Sequence, residues 1–391
     1  MIGGVHGVYM DYMASTPLDP RAFNAMCPFF QGPTALGNPH AADHAYGWDG
    51  DSAIRKARAQ IATLIAADDD EIIFTSGATE SNNLALLGAT RAAPAARREI
   101  VISAIEHKCV LAAGRALSDE GYIVRIAPAN SDGIVDLPEL EKMVGPTTAI
   151  VSVMAINNET GVVQPVAAVG RLCRAAGALF HSDGAQALAV DVIDVDAWSV
   201  DLLSLSAHKA YGPKGIGALY VRRDCRSRLR PIMFGGGQEE GLRPGTLPTP
   251  LCVGFGAACK VLSQEGTDDV SRIRVLRDRL LGRLRQALPD LIVNGSILSR
   301  HPGNLNVRIP GVEAELLLAA ARPSLAAATG SACTSGTIEP SHVLTAMGLS
   351  ATEAGESVRL SLGRFTSEED VDAAALAFKT AVEQVRKNGQ L

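Results

Sequence analysis

Residues 206–217 read SAHKAYGPKGIG, and they place Lys209 where an apolar run ends and a glycine-rich loop begins. A lysine at such a point can be stripped of water, so that its amine can lose a proton and attack a carbonyl. Residues 180–183 read FHSD and end another apolar run with the carboxylate of Asp183. This lysine and acid suit pyridoxal phosphate, the lysine forming a Schiff base and the acid pairing with the pyridinium nitrogen. Taken singly, each also fits an ordinary solvated loop residue.

Length and composition narrow the class of protein. A chain of 391 residues with 47% hydrophobic residues and 38 glycines predicts a two-domain α/β enzyme. The net charge of −6 argues against direct nucleic-acid binding, and no apolar stretch is long enough for a membrane span. Seven cysteines without C-x-x-C spacing argue against a metal site and a disulfide framework. The start of the chain lacks an export signal, so we expect a cytoplasmic protein.

Short apolar runs alternate with amphipathic segments between about residues 70 and 221, which predicts a mostly parallel sheet wrapped by helices. The predicted strands are residues 71–76, 100–103, 122–126, 148–153, 178–182, 202–204 and 218–221. The predicted helices are residues 79–90, 110–120, 137–144 and 166–176. Ligands bind at the carboxyl ends of such strands, where the lysine and the acid lie.

A second, smaller α+β domain is predicted from the C-terminal third of the chain. Residues 268–289 carry leucine and isoleucine along one face of a predicted helix, and its arginine-rich face is either solvated or a surface for an acidic partner. Residues 367–370, SEED, predict the N-terminal cap of a last helix. We therefore predict a large domain of residues 15–261 and a small domain of residues 1–14 with 262–391.

Three further segments carry candidate site residues. Residues 74–83, FTSGATESNN, predict a strand, a glycine turn and a helix start, which forms either an anion site with Thr79 or a plain cap. His107 ends the run IEH and either stacks on a flat ring or is a core histidine. Asn158, in NNETG, either holds a polar group of a ligand or shapes a turn.

Cys333 lies in a loop of small residues, TGSACTSG at 329–336. Small neighbours on both sides predict a loop that moves and leaves the thiol uncovered. Such a thiol reacts only as the thiolate and needs a proton acceptor or a positive charge nearby. The alternative is a chance surface cysteine; we favour a functional thiol.

Together these segments resemble the cysteine desulfurases of the NifS/IscS kind, which are class-V aminotransferases of the fold-type I pyridoxal-phosphate enzymes. The resemblance runs from residue 9 to residue 363, almost the whole chain. Its motifs occur in the order TSGATESNN, IEHK, NNETG, SDGAQ, SAHKAYGPKGIGALY, GGGQEEGLRPGT and TGSACTSG. The fold it implies has a large domain with a mostly parallel sheet and a smaller α+β domain.

The resemblance implies roles around the cofactor ring. Lys209 would hold pyridoxal phosphate as a Schiff base and later move the Cα proton. Asp183 would keep the pyridine nitrogen protonated, and Gln186 would contact the ring hydroxyl. His107 would stack on the ring and shuttle protons.

The resemblance also implies the remaining contacts. Thr246 would complete the phosphate site of the neighbouring subunit, so a homodimer is expected. Asn158 and Arg359 would hold the carboxylate of the L-cysteine substrate, and Cys333 would take its sulfur as a persulfide, leaving L-alanine. The residues that would hold the phosphate within one subunit are Ala78, Thr79, Ser206 and His208.

The implied function is therefore transfer of sulfur from cysteine to a protein acceptor, for iron–sulfur assembly or DNA phosphorothioation. The alternatives are a selenocysteine lyase, a class-V aminotransferase that would not need Cys333, and a scaffold without cofactor. The products separate the two enzyme reactions, because desulfuration yields alanine and sulfide whereas transamination yields a keto acid.

Overall fold

The computed structural model describes residues 7–190, 192–329 and 340–388. The strands of these residues are β1 (Val8–Tyr9), β2 (Ile72–Thr75), β3 (Glu99–Ser103), β4 (Ile123–Ala127), β5 (Thr148–Ser152), β6 (Leu179–Asp183), β7 (Leu202–Ser206), β8 (Gly217–Val221), β9 (Ile292–Val293), β10 (Asn304–Arg308), β11 (Leu325–Ala326) and β12 (Ser357–Ser361). The α-helices are α1 (Pro20–Met26), α2 (Ala45–Leu64), α3 (Ala78–Ala92), α4 (Lys108–Asp119), α5 (Leu137–Met143), α6 (Val166–Ala176), α7 (Thr249–Ala287), α8 (Ala314–Ala321), α9 (His342–Ala346), α10 (Ala351–Gly355) and α11 (Glu368–Asn388).

The central sheet contains seven strands in the order β2-β8-β7-β6-β5-β3-β4. Strand β8 runs antiparallel to both of its neighbours, and the other adjacent pairs are parallel. The predicted mostly parallel α/β fold is confirmed, and each predicted strand forms with ends shifted by at most two residues. All five residues of β7 are buried, as expected for a strand whose two faces are both covered.

Two apolar layers cover the faces of this sheet because successive side chains of a strand point to opposite sides. On one face Phe180 packs with residues of α2, α6 and the first part of α7. On the other face Leu179 packs with residues of α3 and α4. Six of the seven strands run in the same direction, so their carboxyl ends meet at one edge of the sheet.

The second hydrophobic core is formed around the antiparallel sheet β12-β10-β9. Met10 belongs to this core, and β1 pairs in parallel with β11. Tyr12 belongs instead to the core of the central sheet. The chain therefore passes from one core to the other near residue 11, which supports our proposal that the first residues pack with the small domain.

Helix α7 differs from the prediction of a helix over residues 268–289. It begins at Thr249 and runs unbroken for 39 residues to Ala287. Its first part buries Phe255 in the large core, and its last part buries Leu280 in the small core. The polar stretch between them has no apolar stripe, so periodicity did not reveal that the helix continues. The domain boundary that we propose at 261/262 lies inside this helix.

The last helix is capped as predicted. The backbone N–H of Asp370 donates to Ser367 Oγ at 3.0 Å, and the backbone N–H of Ser367 donates to the Asp370 carboxylate at 2.9 Å. This reciprocal pair satisfies two donors that have no partner inside the helix. Among the α-helices of the described ranges, none has the length and apolar character that a membrane span requires.

Packing of α11 against the small core gives a stability prediction. Phe378 is fully buried there, so Phe378→Ala should lower the free energy of unfolding by about 3–5 kcal/mol. Equilibrium urea unfolding followed by circular dichroism measures this loss. Leu376 lies on the same helix with 64% of its surface exposed, and Leu376→Ala should change stability by less than about 0.5 kcal/mol. Equal effects of the two substitutions would contradict the packing.

Candidate active site

A cavity of about 820 Å³ opens at the carboxyl edge of the central sheet. The predicted site residues that line it are Ala78, Thr79, His107, Asn158, Asp183, Gln186, Ser206, His208, Lys209 and Arg359. Thr246 is exposed and does not line this cavity. Cys333 lies outside the described residues. The structure therefore brings together ten residues that the sequence spreads over more than 280 positions.

Lys209 lies in a short 3₁₀ turn, Ala207–Lys209, directly after β7. Its Nζ donates hydrogen bonds to the carbonyl oxygens of Met13 at 2.5 Å and Ala14 at 2.8 Å. Burial lowers the pKa of this amine to about 8, and the positive charge of Arg359 adds to the lowering. At pH 7 about a tenth of the Lys209 side chains is therefore uncharged, far more than for a lysine of ordinary pKa, and the uncharged amine is the nucleophile.

Asp183 is the last residue of β6 and is almost fully buried. Its Oδ2 accepts a hydrogen bond from Asn82 Nδ2 at 2.7 Å, and its Oδ1 accepts one from the backbone N–H of Ala185 at 3.0 Å. These two donors fix the carboxylate on the wall of the cavity. Asn82 lies in the TSGATESNN motif, but no local pattern of that motif indicates this contact.

The other end of the cavity is suited to an anion. Helix α3 begins there after Gly77, whose φ of 153° favours glycine. Glu80 accepts hydrogen bonds from Arg243 Nε at 2.9 Å and from the backbone N–H of Ser76 at 2.7 Å. Burial alone would raise the pKa of Glu80, but these hydrogen bonds lower it. Arg243 thus neutralises the negative charge of Glu80, the acidic residue of this turn. The start of helix α3 therefore remains favourable for binding an anion.

His107 precedes α4 and caps its first turn. Its Nδ1 accepts a hydrogen bond from the backbone N–H of Cys109 at 3.2 Å and lies 2.9 Å from Cys109 Sγ. The ring is open to the cavity, but the surrounding protein withholds bulk water, and this desolvation lowers the pKa of His107. His107 is therefore a neutral ring near pH 7.

Asn158 and Arg359 lie together at a third part of the wall. Arg359 donates to the backbone carbonyl of Asn158 at 2.6 Å and to the carboxylate of Asp11 at 2.7 Å. Within the described residues, Asn158 Oδ1 and Arg359 Nε have no hydrogen-bond partner although both are buried. Asn157, in contrast, shapes the turn by accepting from the backbone N–H groups of Glu159 and Thr160. Unpaired buried polar atoms beside a cavity are atoms that a polar ligand would satisfy.

The donor set of the cavity fits pyridoxal phosphate. A helix start and His208 lie where a phosphate would bind, an acid held by two donors lies at one wall, and a lysine with a lowered pKa faces the same space. The unpaired Nε of Arg359 provides a donor for a carboxylate beyond the ring.

Besides Asn82, the cavity residues Cys109 and His342 and the neighbouring buried Glu106 have contacts that the sequence did not indicate. Glu106 is fully buried, and burial followed by the nearby charge of Asp183 raises its pKa to about 8. Cys109 contacts His107, and His342 reaches the cavity from α9. The only signal for Glu106 and Cys109 was their position beside His107. His342 follows the Cys333 loop, and no local pattern marks it.

The profile of the family described as Aminotransferase class-V matches residues 8–374. A human protein named cysteine desulfurase is 48% identical over 365 residues, which covers 93% of this chain and 79% of the human protein.

Solved structures agree with this likeness. A NifS-like protein superposes with a TM-score of 0.89 at 32% identity, covering 97% of this chain and all of that one. DndA from Streptomyces lividans superposes with a TM-score of 0.76 at 37% identity, covering 90% of this chain and 98% of its own.

The Asn82–Asp183 hydrogen bond gives a second prediction. Asn82→Ala leaves the buried Asp183 carboxylate without its side-chain donor, which should cost about 1–3 kcal/mol and lower the midpoint of thermal unfolding. The next residue on α3 provides the control, because the Asn83 amide donates only to the carbonyl oxygen of Thr79. Differential scanning calorimetry should show a clear loss for Asn82→Ala and little change for Asn83→Ala. The reverse order would contradict the role of Asn82.

Proposed function

We infer the reaction from the premise that this chain belongs to the class-V aminotransferase family: it is a pyridoxal-phosphate-dependent cysteine desulfurase. It converts L-cysteine to L-alanine and passes the sulfur on. The observation that carries this inference is the shared cavity, in which Lys209, Asp183 and the unpaired atoms of Asn158 and Arg359 face one space.

Different residues of the cavity would hold the different groups of the cofactor. Lys209 would bind its aldehyde, Asp183 its ring nitrogen and Gln186 its ring hydroxyl, while His107 would lie against the ring. Pyridoxal phosphate supplies an electron sink that weakens the bonds at the substrate Cα. The phosphate would lie at the start of α3, held by Ala78, Thr79, Ser206 and His208. His208 has its pKa lowered to about 4 by burial, so it binds as a neutral ring.

Arg359 and Asn158 would orient the substrate by its carboxylate. One terminal nitrogen of Arg359 donates to Asp11 and the other donates to the backbone carbonyl of Asn158. These hydrogen bonds hold the side chain in place. Its Nε and the amide of Asn158 are the groups left for a ligand. A charge-assisted hydrogen bond to a buried guanidinium is stronger and more directional than one to a neutral donor.

Lys209 would also carry the Cα proton. Its Nζ is aimed by the carbonyl oxygens of Met13 and Ala14, and its lowered pKa lets it take and release a proton near neutral pH. Cys333 would receive the sulfur: cysteine and the Cys333 thiol give alanine and a Cys333 persulfide. This exchange conserves every atom and needs no external oxidant.

A selenocysteine lyase or an aminotransferase would use the same lysine and acid. The similarity to cysteine desulfurases favours desulfuration, and an aminotransferase would have no use for Cys333. We therefore keep these two reactions as the outcomes that the products of the assay must separate.

The partners and location are proposals of the same kind. We propose a cytoplasmic homodimer that delivers sulfur to a protein acceptor, for iron–sulfur assembly or DNA phosphorothioation. Thr246 lies in an exposed loop whose neighbours are fixed: Gln238 accepts from the backbone N–H of Gly245, and Arg243 pairs with Glu80. Thr246 is therefore exposed on a loop that hydrogen bonds hold in place, and such a residue is suited to complete the site of a second subunit.

The function is tested by incubating the holoenzyme with L-cysteine. With an added thiol reductant, which releases the outer sulfur of the persulfide as sulfide, we expect alanine and sulfide in equal amounts. Without the reductant, mass spectrometry should find one added sulfur atom on Cys333. Cys333→Ser should retain the absorbance of the bound cofactor but form neither product. Cys27→Ser, at a half-buried cysteine of the large domain, should behave like the wild type.

Formation of a keto acid in place of alanine would overturn the desulfurase assignment. Borohydride reduction followed by peptide mapping should attach the cofactor to Lys209. Attachment to another lysine would overturn the proposed site.

Shared sites predict that two inactive variants restore each other. Lys209→Ala and Thr246→Ala protomers, mixed under conditions of subunit exchange, should form hybrid dimers with one intact site. With random mixing half of the dimers are hybrids, so about a quarter of the wild-type activity should return. Mixing Lys209→Ala with a Lys209→Ala/Thr246→Ala double variant is the control and should restore nothing. No recovery in the first mixture would argue that Thr246 serves its own subunit.

A further inference from the structure

We propose that His342 is the proton acceptor for the thiol of the bound substrate. This inference rests on the proposed desulfurase function and adds a residue to its site. His342 is the first residue of α9 and lines the cavity from the small-domain side of the chain.

The start of α9 is held firmly at the cavity wall. The hydroxyl of Ser341 donates to Glu159 at 2.5 Å and accepts from the backbone N–H of Leu344 at 3.1 Å. Val343 and Leu344 pack on Ile105, two residues before His107, in a small separate core. His342 is therefore placed by three neighbours and not by its own side chain alone.

The hydrogen bond of His342 determines which ring nitrogen carries the proton. Its Nε2 lies 2.8 Å from the backbone carbonyl oxygen of Glu106. A carbonyl oxygen can only accept, so Nε2 must carry the hydrogen. In the neutral ring Nδ1 is then an unprotonated acceptor, and within the described residues it has no hydrogen-bond partner.

His107 is in the same Nε2–H tautomer, but here the main chain meets the other ring nitrogen. Its Nδ1 accepts the backbone N–H of Cys109, so its proton lies on Nε2. Burial raises the pKa of Cys109 to about 11, so Sγ keeps its proton and is a second donor toward Nδ1. The acceptor nitrogen of His107 is thus occupied, and this ring faces a ligand as a donor.

The other groups of the cavity are poor acceptors for a thiol proton. The side-chain oxygens of Asp183 and Glu159 already accept hydrogen bonds from Asn82 and Ser341. Glu106 has its pKa raised to about 8 by burial and is mainly protonated near neutral pH. The described charged groups that act on His107 are Asp183, Lys209 and Glu159.

Position selects the substrate thiol. Ser341 ties His342 to Glu159, the residue after Asn158, so His342 flanks the proposed carboxylate clamp and not the phosphate end. A cysteine held there by its carboxylate, with its amine toward Lys209, places its thiol near the same wall. The proposed step breaks the substrate S–H bond and forms N–H at Nδ1, which leaves a thiolate and an imidazolium.

The test uses a substitution that keeps the hydrogen bond but removes the base. In His342→Gln the amide nitrogen can still donate to the carbonyl oxygen of Glu106, while the acceptor nitrogen is lost. We expect kcat for alanine formation to fall about 100-fold or more with KM little changed. His40→Gln, at an exposed histidine away from the cavity, is the matched control and should retain the wild-type rate.

Two results would overturn the proposal. Wild-type rates in His342→Gln would show that the hydrogen bond to Glu106 is the only role of His342. Nitrogen-15 NMR of the histidine rings should find His342 protonated at Nε2 and His107 protonated at Nε2; a proton on Nδ1 of His342 in the neutral ring would also overturn it. This measurement does not depend on activity.

A last arm separates the substrate thiol from the enzyme thiol. Iodoacetamide alkylates thiolates, so its rate at Cys333 without substrate should be the same in His342→Gln and in the wild type. A slower rate in the variant would assign the proton acceptor to Cys333 and overturn the assignment to substrate. Failure of the wild type to form alanine would instead refute the proposed function itself, whatever the NMR shows.

Discussion

The short segment of residues 11–16 joins the two cores, and the cavity depends on it. The carbonyl oxygen of Met13 accepts from both Lys209 and Gln186, and its N–H donates to Ser361 on β12. Asp11 pairs with Arg359 on the same strand, and Thr16 bonds to the backbone of His208. One short segment thus connects the lysine turn of the large sheet with the arginine strand of the small one. Such a connection helps to hold groups from two separately packed cores at a fixed distance.

The charges around that segment explain why the lysine differs from a surface lysine. Burial removes water from Nζ, and Arg359 repels its positive charge, while Asp11 and Asp183 attract it. The first two effects prevail, which keeps the pKa low. Asp11 has a second effect, because it partly neutralises the arginine that would otherwise depress the lysine further. The pKa of the amine is therefore a property of both cores together.

The sheet and most of the site could be predicted because their signals are local. Apolar runs that end in a polar residue mark strand ends, and parallel strands bring those ends together, which is how Asp183 and Lys209 were found. Helix α7 was predicted too short because its middle is solvated and has no apolar face. The sequence did not predict a role for Asn82, Cys109 or His342 for a related reason. Each makes its contact with a residue distant in sequence or through a single acceptor atom. No periodicity marks such a contact.

The two cavity histidines show how the backbone can assign chemistry. A histidine has one donor and one acceptor in its neutral ring, and whichever nitrogen meets the main chain decides what the other offers. At His107 the main chain contributes an N–H, because the helix start leaves the amide of Cys109 without a partner inside the helix. At His342 the main chain contributes the carbonyl oxygen of Glu106, the residue directly before His107. The corner of residues 106–109 therefore makes one ring a donor and the other an acceptor. Such a pair can supply one proton and remove another without either ring having to change its tautomer first.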